Sequence, residues 1–284
     1  MKTKLKMSTA LALAGALVGG LVTGGAAKAD DAAITVKGSD TMVVLGQRWA
    51  EEYMAKHKGA TIQVTGGGSG TGISALINGT TDVCEASRSM KDAEKKQVAD
   101  KAGAPPVEII VAKDGLSVYV NDSNPVTALS MAQLKDIYTG KVTDWKDVGG
   151  TPGKIIPYSR ENSSGTYVFF KEHVLANADY TPRAQAMPGT AAVVNAVARD
   201  KSSIGYGGAA YAKGIKVVKI KKEPTAVGIL PSDATIHDGT YPLSRPLFFY
   251  LRPKASAAIK AFTDWVLSPE GQAIVVKVGY FPIK

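Results

Sequence analysis

Four times along the chain, a short apolar run gives way to a loop of glycines and small hydroxyl residues, and the loop opens a helix-patterned segment. Residues 33–36 lead into Ser39-Asp40-Thr41, and 42–56 then places Val44, Leu45, Trp49 and Tyr53 on one helical face. Residues 61–64 run into Gly66-Gly67-Gly68-Ser69-Gly70-Thr71-Gly72, followed by a short helix marked by Ile73, Leu76 and Ile77. Residues 82–86 end in Ser87-Arg88-Ser89, ahead of a charged helix over 91–102. Ile155 and Ile156 precede Ser159-Arg160-Glu161-Asn162-Ser163-Ser164-Gly165-Thr166, and 167–174 is helical. Strand, loop and helix in repetition predict parallel sheets with crossover helices. In open sheets of that kind, ligands sit outside the carboxyl ends of the strands, where these loops lie.

The remaining chain supports an α/β fold of two lobes. After the break at Pro105-Pro106, residues 107–111 and 116–120 are near-continuous apolar strands, and Asn121-Asp122-Ser123-Asn124-Pro125 is a turn. The first crossing between lobes is expected there. Ser130 and Gln133 form a capping box for a helix reaching about Tyr138. A further helix starts near Gly189-Thr190, and 203–206 reads as a buried strand. Residues 215–220 are interrupted by Lys216 and Lys219, which predicts an edge strand. Residues 240–246 lead the chain back into an apolar strand over 247–251, followed by a helix over 256–267. Ser268-Pro269-Glu270 starts the last helix, which ends near Gly279. The expected division is a first lobe of 30–120 and 245–284, and a second lobe of 121–244.

The N-terminus carries Lys2, Lys4 and Lys6, an apolar run over about 10–22, and Ala27-Lys28-Ala29. This predicts a secretory signal peptide over 1–29 and a periplasmic mature protein. The full chain has 34 basic and 25 acidic residues; Lys2, Lys4, Lys6 and Lys28 fall in that segment, leaving 30 against 25. That surplus suits a small anion. With no basic run or basic-aromatic interleaving, nucleic acid is not an expected partner.

The hydroxyl loops point to an oxyanion. Hydroxyls and free N–H groups at helix starts donate short hydrogen bonds, and arginine adds a planar charged fork suited to phosphate oxygens. The glycine-rich loop lacks the Gly-Lys-Ser/Thr ending of a P-loop and does not satisfy Gly-x-Gly-x-x-Gly. No Gly-x-Ser-x-Gly elbow occurs. Cys84 is the only cysteine, read as a small buried hydrophobe, and His57, His173 and His237 are too scattered for a metal motif. Neither an enzyme nor a cofactor is expected from these residues.

Taken with Ile204-Gly205-Tyr206 and Tyr241-Pro242-Leu243-Ser244-Arg245-Pro246-Leu247, these loops resemble the periplasmic phosphate-binding proteins of phosphate ABC importers. The resemblance extends over essentially the whole mature chain. It implies a class II periplasmic-binding-protein fold, each lobe a mostly parallel sheet flanked by helices, with the ligand cleft between lobes. It further implies a monomeric receptor that delivers inorganic phosphate to a membrane ABC permease. Thr41 and Ser69 match the family's first-lobe donors; Arg160, Ser164, Gly165 and Thr166 match its second-lobe donors. Ser39 and Asp40 complete the first loop. One position departs: many members carry Ser-Asp after the third strand, where this chain has Ser87-Arg88. Arginine cannot accept the proton of hydrogen phosphate. Arg88 is therefore expected either at the anion or paired with an acid such as Glu85. The acceptor role falls to Asp40 first, Glu161 second and a backbone carbonyl third. Sulfate, molybdate or tungstate in the same fold is the alternative ligand class, and a secreted phosphate-ester enzyme the remote one.

Overall fold

The repeated loops fall at the ends of strands in two separate sheets. The computed structural model describes residues 33–284, so the expected signal peptide over 1–29 lies outside the described residues. The chain begins with β1 (Ile34–Gly38), α1 (Val43–Lys56), β2 (Ile62–Thr65), α2 (Ser69–Asn78), β3 (Val83–Ala86), α3 (Asp92–Ala102) and β4 (Val107–Gly115). It continues with β5 (Ser117–Val120), β6 (Ala128–Ser130), α4 (Met131–Thr139), β7 (Ile156–Arg160), α5 (Gly165–His173), β8 (Gln185–Met187), α6 (Thr190–Arg199), β9 (Ser203–Gly207) and β10 (Lys216–Lys221). It closes with α7 (Asp233–His237), β11 (Ser244–Leu251), α8 (Ala257–Leu267) and α9 (Pro269–Val278).

The first sheet has the order β2-β1-β3-β11-β4, and the second β6-β10-β5-β9-β7-β8. Each sheet is parallel except for one strand, and that strand is the one arriving from the other lobe. β11 runs antiparallel to β3 and β4, and β5 runs antiparallel to β9 and β10. The two crossings lie side by side: Leu116 N–H donates to the Leu243 carbonyl at 2.9 Å, and the Tyr241 hydroxyl donates to the Leu116 carbonyl at 2.7 Å. The period-2 pattern of the strands serves both faces of each sheet. In the first, Val83, Leu247 and Phe249 join the core under α1, α8 and α9, while Cys84, Phe248 and Tyr250 join the one under α2 and α3. In the second, Val118, Ile204 and Tyr206 face one core, and Tyr119 and Tyr158 join Val193 and Val197 of α6 in the other.

Three expectations need correction. The strand at 117–120, assigned by sequence to the first lobe, pairs in the second sheet, so sheet membership places the first crossing at Leu116. Its apolar run is buried on both faces and carries no mark of which sheet receives it. β10 is not an edge: the short strand β6 lies outside it, and the lysines project from an interior strand. α2 begins at Ser69, inside the glycine-rich loop, despite the low helix propensity of Gly70 and Gly72. A Cβ at Gly72 would lie 2.4 Å from the Lys37 carbonyl oxygen, so close packing of helix on strand selects glycine there.

Candidate functional site

Four helices begin at one place between the lobes. α1 follows the Ser39-Asp40-Thr41 loop, α2 starts at Ser69, α5 at Gly165 and α6 at Thr190. The first two belong to the first sheet and the last two to the second. Each brings to this place the positive end of its dipole and first-turn N–H groups that have no partner inside the helix.

Arg160, at the end of β7, is buried among these starts. Its Nη2 donates to Asp40 Oδ2 at 3.0 Å across the lobe boundary, and its Nη1 to Thr190 Oγ1 at 2.8 Å. Its Nε–H is buried without an acceptor among the described residues. Burial lowers the guanidinium below its ordinary value, and the Asp40 charge works against that. Asp40 is held from the other side by the Gly67 N–H, which donates to Oδ1 at 2.7 Å.

The hydroxyls are connected in a way that fixes their direction. Ser69 Oγ accepts from the Ser87 N–H at 3.0 Å. Ser164 Oγ caps α5 by accepting from the N–H groups of Thr166 and Tyr167 at 3.2 and 3.3 Å. A hydroxyl whose lone pair is taken by an N–H keeps its one hydrogen for something else. Ser39 Oγ donates to Ser87 Oγ at 2.9 Å, and the hydroxyls of Thr41 and Thr166 meet at 2.8 Å across the lobes. The Gly70 N–H donates to the Ser163 carbonyl at 2.8 Å, a further link between lobes. Gly165 permits this approach, because a Cβ there would stand 2.3 Å from Ser69 Oγ.

Of the residues proposed from sequence, Ser39, Asp40, Thr41, Ser69, Arg160, Ser164, Gly165 and Thr166 all lie in this cluster. Arg88 does not. Its guanidinium forks onto both Glu94 oxygens at 2.8 and 2.7 Å and donates to the Ser89 carbonyl at 2.9 Å. Burial would lower Arg88, but the bonds and charge of Glu94 outweigh it and raise the guanidinium. The acid that takes Arg88 is Glu94, which also caps α3, and not Glu85. Glu161 is exposed. Sequence reasoning missed Thr190, whose only sign was its place after Gly189 at a helix start. Arg245, in the returning strand, is expected from sequence to brace the crossing between lobes; its buried partner Asp114, an acid in an apolar strand, was missed.

A PBP superfamily domain model matches residues 23–270. The phosphate-binding protein PstS of Pseudomonas aeruginosa is 35% identical over 263 residues, covering 87% of this chain and 81% of that protein. The protein of the same name from Staphylococcus epidermidis is 39% identical over 247 residues, covering 84% and 75%. Among solved structures, a Clostridium perfringens protein with bound phosphate superposes with a TM-score of 0.81 at 29% identity, over 89% of this chain and 100% of that one. An ABC-type phosphate transport receptor from Vibrio cholerae gives 0.71 at 29% identity, over 87% and 99%.

Proposed function

The chain belongs to the periplasmic phosphate-binding proteins of the PBP superfamily, and on that premise we propose that one inorganic phosphate is held in the cluster around Arg160. The protein is a receptor for an ABC phosphate transporter and not an enzyme. We place it outside the cytoplasm, acting as a single copy that passes phosphate to its permease. No helix among the described residues is long and apolar enough to cross a membrane.

The observation that carries the site assignment is Arg160: a buried guanidinium with an orphaned N–H, surrounded by hydroxyls and helix starts from both lobes. A buried donor without an acceptor is costly, and an oxyanion oxygen supplies one. The other donors follow the same logic. The hydrogens of Ser69, Ser164 and Thr166 and the N–H of Gly165 turn toward the anion, Thr41 approaches from the first lobe, and Ser39, whose hydrogen goes to Ser87 Oγ, braces that loop. Among the clustered side chains Asp40 is the carboxylate, and its bonds to Gly67 and Arg160 leave lone pairs for one more donor. The proton of hydrogen phosphate is that donor. Arg88 takes no part; it stiffens the loop that presents Ser87. Binding brings the two lobes together about the crossings at Leu116 and Leu243, a hinge closure.

Titration of the purified chain with phosphate in a calorimeter tests this. One site per chain with a micromolar or tighter Kd is expected, and absence of heat at millimolar phosphate would contradict it.

A further inference from the structure

Arg245 enters the cluster from β11. Every bond it makes is a donation. Nε and Nη2 donate to Asp114 Oδ2 at 3.0 and 2.8 Å, Nη1 to the Ser87 carbonyl at 3.1 Å, and Nη2 also to Thr166 Oγ1 at 3.0 Å. Asp114 is locked in turn by the Ala209 N–H, which donates to Oδ1 at 3.0 Å. The guanidinium also lies over the ring of Phe169, 5.2 Å from its centroid, one turn along α5 from Thr166. Asp114 and Ser87 fix Arg245 to the first sheet; Thr166 and Phe169 belong to the second lobe.

A guanidinium has donors only. Thr166 Oγ1 must therefore accept from Arg245, and its single hydrogen is left for Thr41 Oγ1 or for an anion oxygen between them. Released from Arg245, Thr166 could rotate and point a lone pair at the anion, turning a donor into a repulsive contact. We propose that Arg245 is a positioning residue: it fixes Thr166 as a hydrogen-bond donor to the bound anion, and only while the lobes are together. It does not touch the anion. Its contribution is realised in the closed state, so it governs how long phosphate stays bound.

This inference rests on the phosphate-receptor reading, and the two can fail separately. A wild-type chain that takes up no phosphate defeats the receptor reading. With wild-type binding established, Arg245→Met should weaken phosphate by about 10- to 100-fold, the range for a charge-assisted bond, with the change carried by a faster koff in stopped flow. Asp114→Asn combined with Arg245→Met keeps the buried charge balanced and should show the same loss, with its melting temperature reporting the fold. Arg245→Lys keeps a cation beside Asp114 without the fork and should not restore wild-type koff. The decisive comparison uses Thr166→Val. In that background, the Arg245 substitutions should change affinity by less than about twofold, because the residue through which they act is gone. Two outcomes overturn the inference: wild-type affinity and koff in the Arg245 variants, or a full second loss in the Thr166→Val background.

Discussion

Arg160→Met should lose phosphate binding by about a hundredfold to a few thousandfold, the cost of truncating one partner of a buried charge pair. Arg160 donates one nitrogen to Asp40, one to Thr190, and leaves Nε buried without an acceptor. Methionine fills similar space but supplies neither charge nor donor. It also leaves the Asp40 carboxylate facing an anion with no cation between them, so repulsion adds to the lost attraction. Stability should fall less than affinity, because the Asp40 side chain is 23% exposed and can hydrate. Arg160→Lys should recover only part of the loss: a single ammonium cannot reach Asp40, Thr190 and the anion in three directions. Calorimetric titration of both variants at low salt checks the order wild type, lysine, methionine. Equal affinities for wild type and methionine would remove Arg160 from the site.

The second large effect concerns stability, and its source is Glu85. This side chain lies on the same face of β3 as Val83, against Gly46 of α1, where a Cβ on the glycine would be 2.1 Å from its carboxyl oxygen. Both carboxyl oxygens are buried without a hydrogen-bond partner among the described residues. Burial pushes the carboxyl up from 4.5 to about 8. The folded chain therefore holds this proton at pH values where the unfolded chain has released it. Its contribution to stability is complete below about pH 4.5 and is lost progressively as pH rises to about 8. The total is on the order of 5 kcal/mol, a large part of an ordinary domain's stability. Glu85→Gln carries no proton to lose, so its denaturant midpoint should fall much less between pH 5 and 8, and the variant should be the more stable protein at pH 8. Parallel midpoint curves for the two proteins would show that Glu85 is not buried as a neutral acid. Glu94 acts in the opposite sense: burial raises it, but Arg88 outweighs burial and lowers it, so its contribution is lost only as pH falls.

The loops of the site were legible in the sequence because glycine and hydroxyl residues at helix starts are dictated locally. Ser164 caps α5, Ser130 and Gln133 box α4, and Ser268 with Pro269 starts α9, all through bonds spanning a few residues. The grouping of Ser39, Thr41, Ser69 and Thr166 followed from their shared place at strand ends in an α/β fold. What remained hidden depends on contacts between distant segments. β6 and β8 are three residues each and too short to show a period. The apolar run at 117–120 fits either sheet until β9 and β10 take it. Arg88 had Glu85 beside it in sequence, but β3 turns Glu85 into the core, and the cap of α3 brings Glu94 to the arginine instead. Asp114 and Arg245 are 131 residues apart, and only the antiparallel register of β4 with β11 sets them side by side.

On the function proposed above, hydroxyls, helix starts and Arg160 supply the donors of the site and Asp40 its one carboxylate acceptor, so that the anion retained is one carrying a proton. Competition calorimetry of phosphate against sulfate, on the wild type and on Asp40→Asn, distinguishes this from binding by charge alone. The wild type should prefer phosphate by at least about a hundredfold, the cost of leaving a buried acceptor facing an oxyanion with no proton to give. Asp40→Asn, which turns that acceptor into a partial donor and leaves Arg160 uncompensated, should bind sulfate more tightly than the wild type does and lose most of the preference. Sulfate binding as tightly as phosphate to the wild type, or an unchanged preference in Asp40→Asn, would remove Asp40 as the acceptor of the anion's proton.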